Sequence, residues 1–420
     1  DDVLQYSSGS ELAIDTQVDG GSGTDTLLFT IAGVTDVDDA DFVKVTNVEA
    51  IVFGNGNNVA TFGTNAASAV GNLSITGGSG NNTFDVSNLG EAATITVSSG
   101  ADTIIGCSGG DSISGSGGAD SITSGSGNDS ISGGADNDTL VFGAELTSSD
   151  TVDGGTGTGD ILTFTDGNSA SDDLNRVTNV ETITLGNADT NVTSVDTLVA
   201  DGATLTVDGS ALTGTNNLTW DGSAELDGSF QITGSDQGDN ITGGADADTI
   251  IGGTGGDTIS GSGGSDSITS GSGNDSISGG AANDTLVFGV NLTSSDTIDG
   301  GAGTGDILTF TDANGASDDL NRVTNVETIT LGNADTNVTS VDTLVADGAT
   351  LTVDGSGLTA GQTLTWTGSA ETNGRFNITG GADADTIIGG TGGDTISGSG
   401  GSDSISSGDG HDILQYSSGL

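Results

Sequence analysis

The sequence predicts an all-β chain, an elongated right-handed parallel β-roll or β-helix stacked on itself as a solenoid. Three observations predict it. First, a nine-residue phrase repeats in tandem at three places; between Gly234 and Val287 it reads GSDQGDNIT, GGADADTII, GGTGGDTIS, GSGGSDSIT, SGSGNDSIS, GGAANDTLV. Each copy gives five residues to a Gly/Ser-rich turn, then places Asp, a small polar residue and Ile or Leu. Second, the apolar residues recur at regular spacing although hydrophobic residues make up only 32% and aromatics 4% of the chain. Low hydrophobicity with high net charge otherwise reads as disorder, and the regular spacing argues against it. Third, much longer stretches repeat letter for letter along the chain.

Those long repeats set the organisation. NDTLVFG stands at Asn137 and again at Asn283, and the stretch from Arg176 to Ser210 returns unchanged from Arg322. A more distant copy, KVTNVEAIVFGNG, begins at Lys44, and GGADADTIIGGTGGDTIS begins at both Gly243 and Gly380. The chain divides into three tandem units, 1–137, 138–283 and 284–411, with 412–420 opening a fourth. DDVLQYSSG at the start returns as HDILQYSSG near the end, pairing Asp2 with Asp412 and Tyr6 with Tyr416. Neither end reads as a polar cap, which predicts continuation into further units or into a neighbouring chain.

Within each unit about ninety residues precede the nonads with a looser pattern. Short alternating stretches such as DILTFT (Asp160–Thr165), ETITL (Glu181–Leu185) and LTWDG (Leu218–Gly222) fit half-buried strands. The same coil with wider turns is the expected structure here, and a compact globular insert is the alternative. In the nonads the aliphatic position (Ile104, Ile113, Ile122, Ile131, Leu140 and counterparts) should point inward as ladders of like residues. Trp220 and Trp366, in matching LTW strands, are expected in the core.

The charge narrows the function. Sixty Asp plus Glu face four Lys plus Arg, for a formal charge of -56. Such a chain repels itself unless cations lie among the carboxylates, and it excludes nucleic acid and anionic lipid as partners. Only eight acids are Glu; so strong a bias to the shorter carboxylate suits turns that ligate metal, because Asp also favours turns. Carboxylates and turn carbonyls at a fixed repeat are the hard oxygen donors that calcium prefers. No apolar run approaches the roughly 20 residues of a membrane helix, so no membrane insertion is expected.

The nonads resemble the repeats-in-toxin (RTX, haemolysin-type) calcium-binding family, whose phrase is G-G-x-G-x-D-x-U-x. Clear matches cover Val97–Val141, Gly234–Val287 and Gly380–Gln415; single copies stand at Gly20–Leu28 and, with one inserted residue, at Gly154–Leu162 and Gly300–Leu308. The resemblance implies calcium held between stacked turns by Asp side chains two nonads apart and by backbone carbonyls. Carried over by position, the pairs are Asp102/Asp120, Asp111/Asp129 and Asp120/Asp138 in the first series. In the second they are Asp239/Asp257, Asp248/Asp266, Asp257/Asp275 and Asp266/Asp284; in the third, Asp385/Asp403 and Asp394/Asp412. The Ser that opens SGSGNDSIS and the Asp at the fourth position of GGADADTII depart from the phrase, and those sites are expected to bind more weakly.

Other residues receive structural readings. Lys44, Arg176 and Arg322 each precede a Glu (Glu49, Glu181, Glu327) at the same spacing, which predicts an ion pair with that Glu or with a preceding Asp such as Asp173 or Asp319. His411, the single His, should face solvent. Cys107 reads as a tolerated small residue in a turn, with an interchain link as the alternative. GCSGG at Gly106–Gly110 matches a nucleophile elbow only formally, so no enzyme activity is expected. The resemblance implies a secreted bacterial repeat protein, exported by type I secretion and folded by calcium outside the cell. The expected role is structural: a filament, sheath or surface layer, built as a homo-polymer through head-to-tail or lateral contacts. A stalk or binding module of a large adhesin, with a cell-surface glycan as partner, and the non-catalytic tail of a secreted enzyme or toxin are the alternatives.

Overall fold

Strands form wherever a small polar residue alternates with an aliphatic one, and Gly-rich turns end them after three to six residues in the nonads. The computed structural model describes residues 1–70, 73–167, 169–312 and 315–415; Tyr416 and the rest of the expected fourth unit lie outside them. The described strands pair in parallel throughout. Two compact units result, Asp1–Asp208 and Gly209–Leu420, each a β-solenoid.

In the first unit most successive strands fall alternately on two sheets, while Val18–Asp19 and Val45–Thr46 pair as a small separate one. One sheet begins at Val3–Tyr6, which pairs with Thr26–Phe29, and that strand pairs with Ala50–Phe53. The other begins at Val59–Thr61, paired with Thr83–Asp85 and then with Thr103–Ile105. In the nonads each rung advances by two copies of the phrase, placing Ser112 opposite Ser130 and Thr103 opposite Ser121. In the looser stretches the rung lengthens, so that Ala50 stands opposite Ser74 and Thr182 opposite Thr206. The second unit repeats the arrangement, with a short rung from Thr249 to Ser267 and a much longer one from Thr336 to Leu364. The looser residues are thus the same coil with wider turns and not a globular insert.

The strand register stacks like on like. Ile104, Ile122, Leu140, Leu162 and Ile183 face one another in one ladder of the first unit, and each is fully buried. Ile232, Ile250, Ile268, Leu286 and Leu308 do the same in the second. Burying such a side chain contributes about 1.5–3 kcal/mol, so the narrow core stabilises every rung only modestly. Trp366 is fully buried and meets Phe376 edge-on at 5.5 Å, as Trp220 meets Phe230; both tryptophans are core, as expected.

Short helices interrupt the first unit at Gly9–Ile14, Asp39–Lys44 and Thr64–Val70, a feature the all-β expectation omits. Their starts are local: Ser8 caps the first, and Asp38 with Asp41 forms a reciprocal capping box at the second. None of the described helices is long and apolar enough to cross a membrane.

Candidate metal centre

Each nonad Asp stands where a turn becomes a strand, so its main chain and its carboxylate both serve the stack. The Asp102 carbonyl accepts from Ser121 N–H at 2.8 Å, while Asp102 N–H donates to Asp120 Oδ1, one rung on, at 2.7 Å. Asp120 repeats this with Asp138 at 2.8 Å, and Asp111 with Asp129 at 2.7 Å. In the second unit Asp239 donates to Asp257, Asp248 to Asp266, Asp257 to Asp275 and Asp266 to Asp284, all at 2.8–3.0 Å. Asp385 reaches Asp403 at 3.1 Å and Asp394 reaches Asp412 at 3.0 Å. Every pair expected from the two-nonad spacing is joined. All of these Asp residues are buried except Asp403 and Asp412, which are half-buried in the last described rungs.

The ladders run further than the two-nonad rule reaches. Asp129 continues to Asp150 and Asp138 to Asp160; Asp275 continues to Asp296 and Asp284 to Asp306. Asp160 and Asp306 then donate to Glu181 and Glu327, and near the chain start Asp25 donates to Glu49, all at 2.7–2.9 Å. These three Glu residues therefore extend the ladders, where the sequence suggested partners for Lys44, Arg176 and Arg322. Lys44 Nζ reaches the carbonyl of Asp15 at 2.9 Å, and Arg322 reaches that of Ser295 at 3.4 Å. The signal for Asp25, Asp160 and Asp306 was present in the isolated nonad copies. Asp150 and Asp296 keep only the Asp-Thr-aliphatic tail of the phrase.

Two kinds of loop hold these carboxylates. In the interior kind the second and fourth residues are left-handed, as Ser116 (φ 69°) and Gly118 (φ 108°) before Asp120. There Oδ1 is engaged, but Oδ2 of Asp120, Asp138, Asp257, Asp266 and Asp284 is buried without a hydrogen-bond partner; so is that of Asp102, whose loop has only its fourth residue, Gly100, left-handed. In the opening kind Oδ2 accepts the N–H four residues back, at 2.6–2.7 Å: Cys107 to Asp111, Ser235 to Asp239, Gly244 to Asp248, Gly381 to Asp385 and Gly390 to Asp394. None of those five donors has a positive φ. The variant fourth residue of GGADADTII, Asp246, falls in such an opening loop.

Electrostatics sharpen the contrast. Burial first, and the charges of the carboxylates one rung above and below second, push Asp120 up to about 7 from an ordinary 3.8. Asp129, Asp257 and Asp266 rise to about 7 for the same reasons, and Asp138, Asp248 and Asp284 to about 6, with burial again the main cause. Four Lys plus Arg cannot neutralise rows drawn from 60 acids. The walls around each row are oxygen as well. A β-carbon at Gly115 would collide with both Asp120 Oδ2 and the Gly133 carbonyl, and one at Gly261 with Asp266 Oδ2 and the Gly279 carbonyl. Convergent acceptors with no hydrogen among them, charged and withdrawn from water, suit a hard divalent cation. Calcium, when bound, would supply positive charge to such a row; the chain supplies the spacing, carboxylate and carbonyl oxygens and, through Gly, exclusion of side chains.

His411 and Cys107 lie where the sequence suggested. His411 is exposed. Cys107 is buried in the turn, its sulfur 2.8 Å from the Glu91 carbonyl and 3.0 Å from Asp111 Oδ1; burial and that carboxylate push its thiol up to about 12.

Comparison with known proteins agrees with this geometry. The family model described as the RTX calcium-binding nonapeptide repeat (4 copies) matches residues 92–120, 105–140, 231–259, 251–286 and 379–414. No curated protein matches the chain. The protein accordingly carries RTX calcium-binding nonapeptide repeats in three blocks, and multiple Ca2+ ions are expected.

Proposed function

We propose that the chain is a structural, non-catalytic protein whose calcium-loaded coils build an extracellular filament, sheath or surface layer through contacts between copies. The observation that carries this reading is the unbroken row of buried carboxylates along the rungs, each held one rung from the next by an N–H to Oδ1 bond. We assign the cation to the fifteen nonad Asp residues named above, with Oδ2 of the interior loops as the oxygen left for it. A coil so arranged opposes its own folding until a divalent cation is present. Cytosolic calcium is scarce, so the chain stays extended and exportable; outside, millimolar calcium exceeds the weak affinities of extracellular modules and drives folding by mass action. Three tandem units in one chain favour scaffolding, because a repeated coil adds length and presents the same surface again and again.

Electron microscopy and analytical ultracentrifugation of the protein in millimolar calcium, then in chelator, test the proposal. Ordered multimers in calcium that disperse into expanded monomers on chelation are expected. Monomers at high concentration in calcium would sink the scaffold role, and assemblies that keep their lateral order in chelator would sink the calcium dependence.

A further inference from the structure

In the row of the first unit that runs through Asp102 and Asp120, the two rungs before Asp102 carry Asn where the later rungs carry a carboxylate. Upstream of Asp102, in the same strand register, stand Asn82 and Asn58. Gly77–Asp85 reads GGSGNNTFD, the nonad phrase with Asn in the Asp position, and it lies outside the residues matched by the family model. Both Asn side chains are buried, at 0% and 1% exposure. Their Oδ1 atoms do what the Asp Oδ1 atoms do. Val34 N–H donates to Asn58 Oδ1 at 3.0 Å, and Asn58 N–H points at Asn82 Oδ1 at 3.4 Å; Asn82 N–H in turn donates to Asp102 Oδ1 at 2.5 Å.

The second side-chain atom is where the two kinds of rung part. Asn82 Nδ2 lies 3.0 Å from the Gly78 carbonyl, 2.8 Å from that of Gly80 and 2.9 Å from Asp102 Oδ1. Asn58 Nδ2 lies 2.8 Å from the Gly54 carbonyl, 3.0 Å from that of Gly56 and 2.7 Å from Asn82 Oδ1. Each amide therefore closes a cage made of two carbonyls of its own turn and one oxygen of the next rung. Gly80 (φ 110°) and Gly118 (φ 108°) share the left-handed fourth position, so the turn before Asp120 is built alike there. In the Asp rungs the corresponding atom is Oδ2, which can only accept and is left without a partner at Asp102, Asp120 and Asp138. A second layer of amides reinforces the two rungs: Asn81 N–H bonds to Asn57 Oδ1 at 2.9 Å, and Ala101 N–H to Asn81 Oδ1 at 3.1 Å.

We propose that Asn58 and Asn82 form a calcium-independent start to the row, the carboxamide N–H groups doing in these rungs what the cation does in the Asp rungs. The inference rests on the calcium reading of the Asp rungs. The two amide rungs stay closed without metal and give the first calcium-dependent rung, at Asp102, a finished edge on which to add.

Hydrogen–deuterium exchange on the whole chain, read by peptide in calcium and in chelator, tests it. In chelator, amides of 115–141 should lose protection while those of 58–62 and 82–86 exchange more slowly by about tenfold or more. Equal loss in both stretches would overturn the proposal; retained protection in both would instead overturn the calcium reading. The variant Asn82→Asp gives an independent readout. Native mass spectrometry should count one more bound calcium, and protection of 82–86 should become calcium-dependent. An unchanged count together with unchanged protection in chelator would also overturn the proposal.

Discussion

Stripping the metal should make stability depend on pH in the direction opposite to that of most acidic proteins. Asp120, Asp129, Asp257 and Asp266 are pushed from an ordinary 3.8 up to about 7 in the folded coil. A group whose folded pKa is raised contributes its stability fully below the unfolded value and loses it as the pH climbs through the folded one. The window here is therefore about pH 4 to 7. A shift of about three units corresponds to roughly 4 kcal/mol for one carboxylate, a large part of the roughly 5–15 kcal/mol that usually holds a domain together. Far-UV circular dichroism and thermal midpoints of chelated protein at intervals of one pH unit supply the assay. The β-signal should be strongest near pH 4, weaken steadily and be largely lost by about pH 7, where added calcium restores it. Acid also relieves the general repulsion of 56 excess negative charges, so the variant Asp257→Asn separates the two effects. It changes the net charge by one yet removes one buried anion, and should raise the metal-free midpoint at pH 7 more than at pH 4. A chelated wild-type chain as stable at pH 7 as at pH 4 would refute the reasoning.

Three further outcomes follow from the geometry. Ile259→Ala, at a fully packed ladder position, should cost about 2–5 kcal/mol in calcium, read from urea denaturation. Gly261→Ala should drive a methyl group into Asp266 Oδ2 and the Gly279 carbonyl, lowering both the thermal midpoint and the calcium count, whereas Gly90→Ala, with open space around it, should stay within about 0.5 kcal/mol of wild type. The Cys107 thiol, pushed up to about 12 in its turn, should resist iodoacetamide at pH 8 in calcium and react once the metal is removed; equal rates in both conditions would contradict its burial.

The nonad rows were legible because period and chemistry coincide: the Asp of each successive phrase alternates between two edges, and an aliphatic residue two places later fixes which face is inside. The ladder rungs at Asp150, Asp296, Glu181 and Glu327 were not legible, because parallel pairing holds register whatever the length of chain between strands. Asn82 was hidden for a different reason, since a search for carboxylates passes over the amide that replaces one. The two loop conformations were beyond local reading altogether. GGTGGDTIS occurs unchanged at Gly252–Ser260 and Gly389–Ser397. Gly253 and Gly255 are left-handed in the first copy, while Gly390 in the second donates to its own Asp394 without a positive φ. Above the first lies another nonad loop, whose Ser235 carbonyl faces Gly253; above the second lies the turn at Glu371, whose carbonyl and side-chain stem face Gly390. The neighbour, not the sequence, selects the loop.

A short rung such as Thr249 to Ser267 and a long one such as Thr336 to Leu364 both add strands in parallel register, so the extra residues bulge sideways and leave the spacing between layers untouched. Insertions and deletions at those outward bends can accumulate without shifting the ion-bearing steps above or below. The exterior of such a molecule can therefore change contour from rung to rung while its interior spacing is kept.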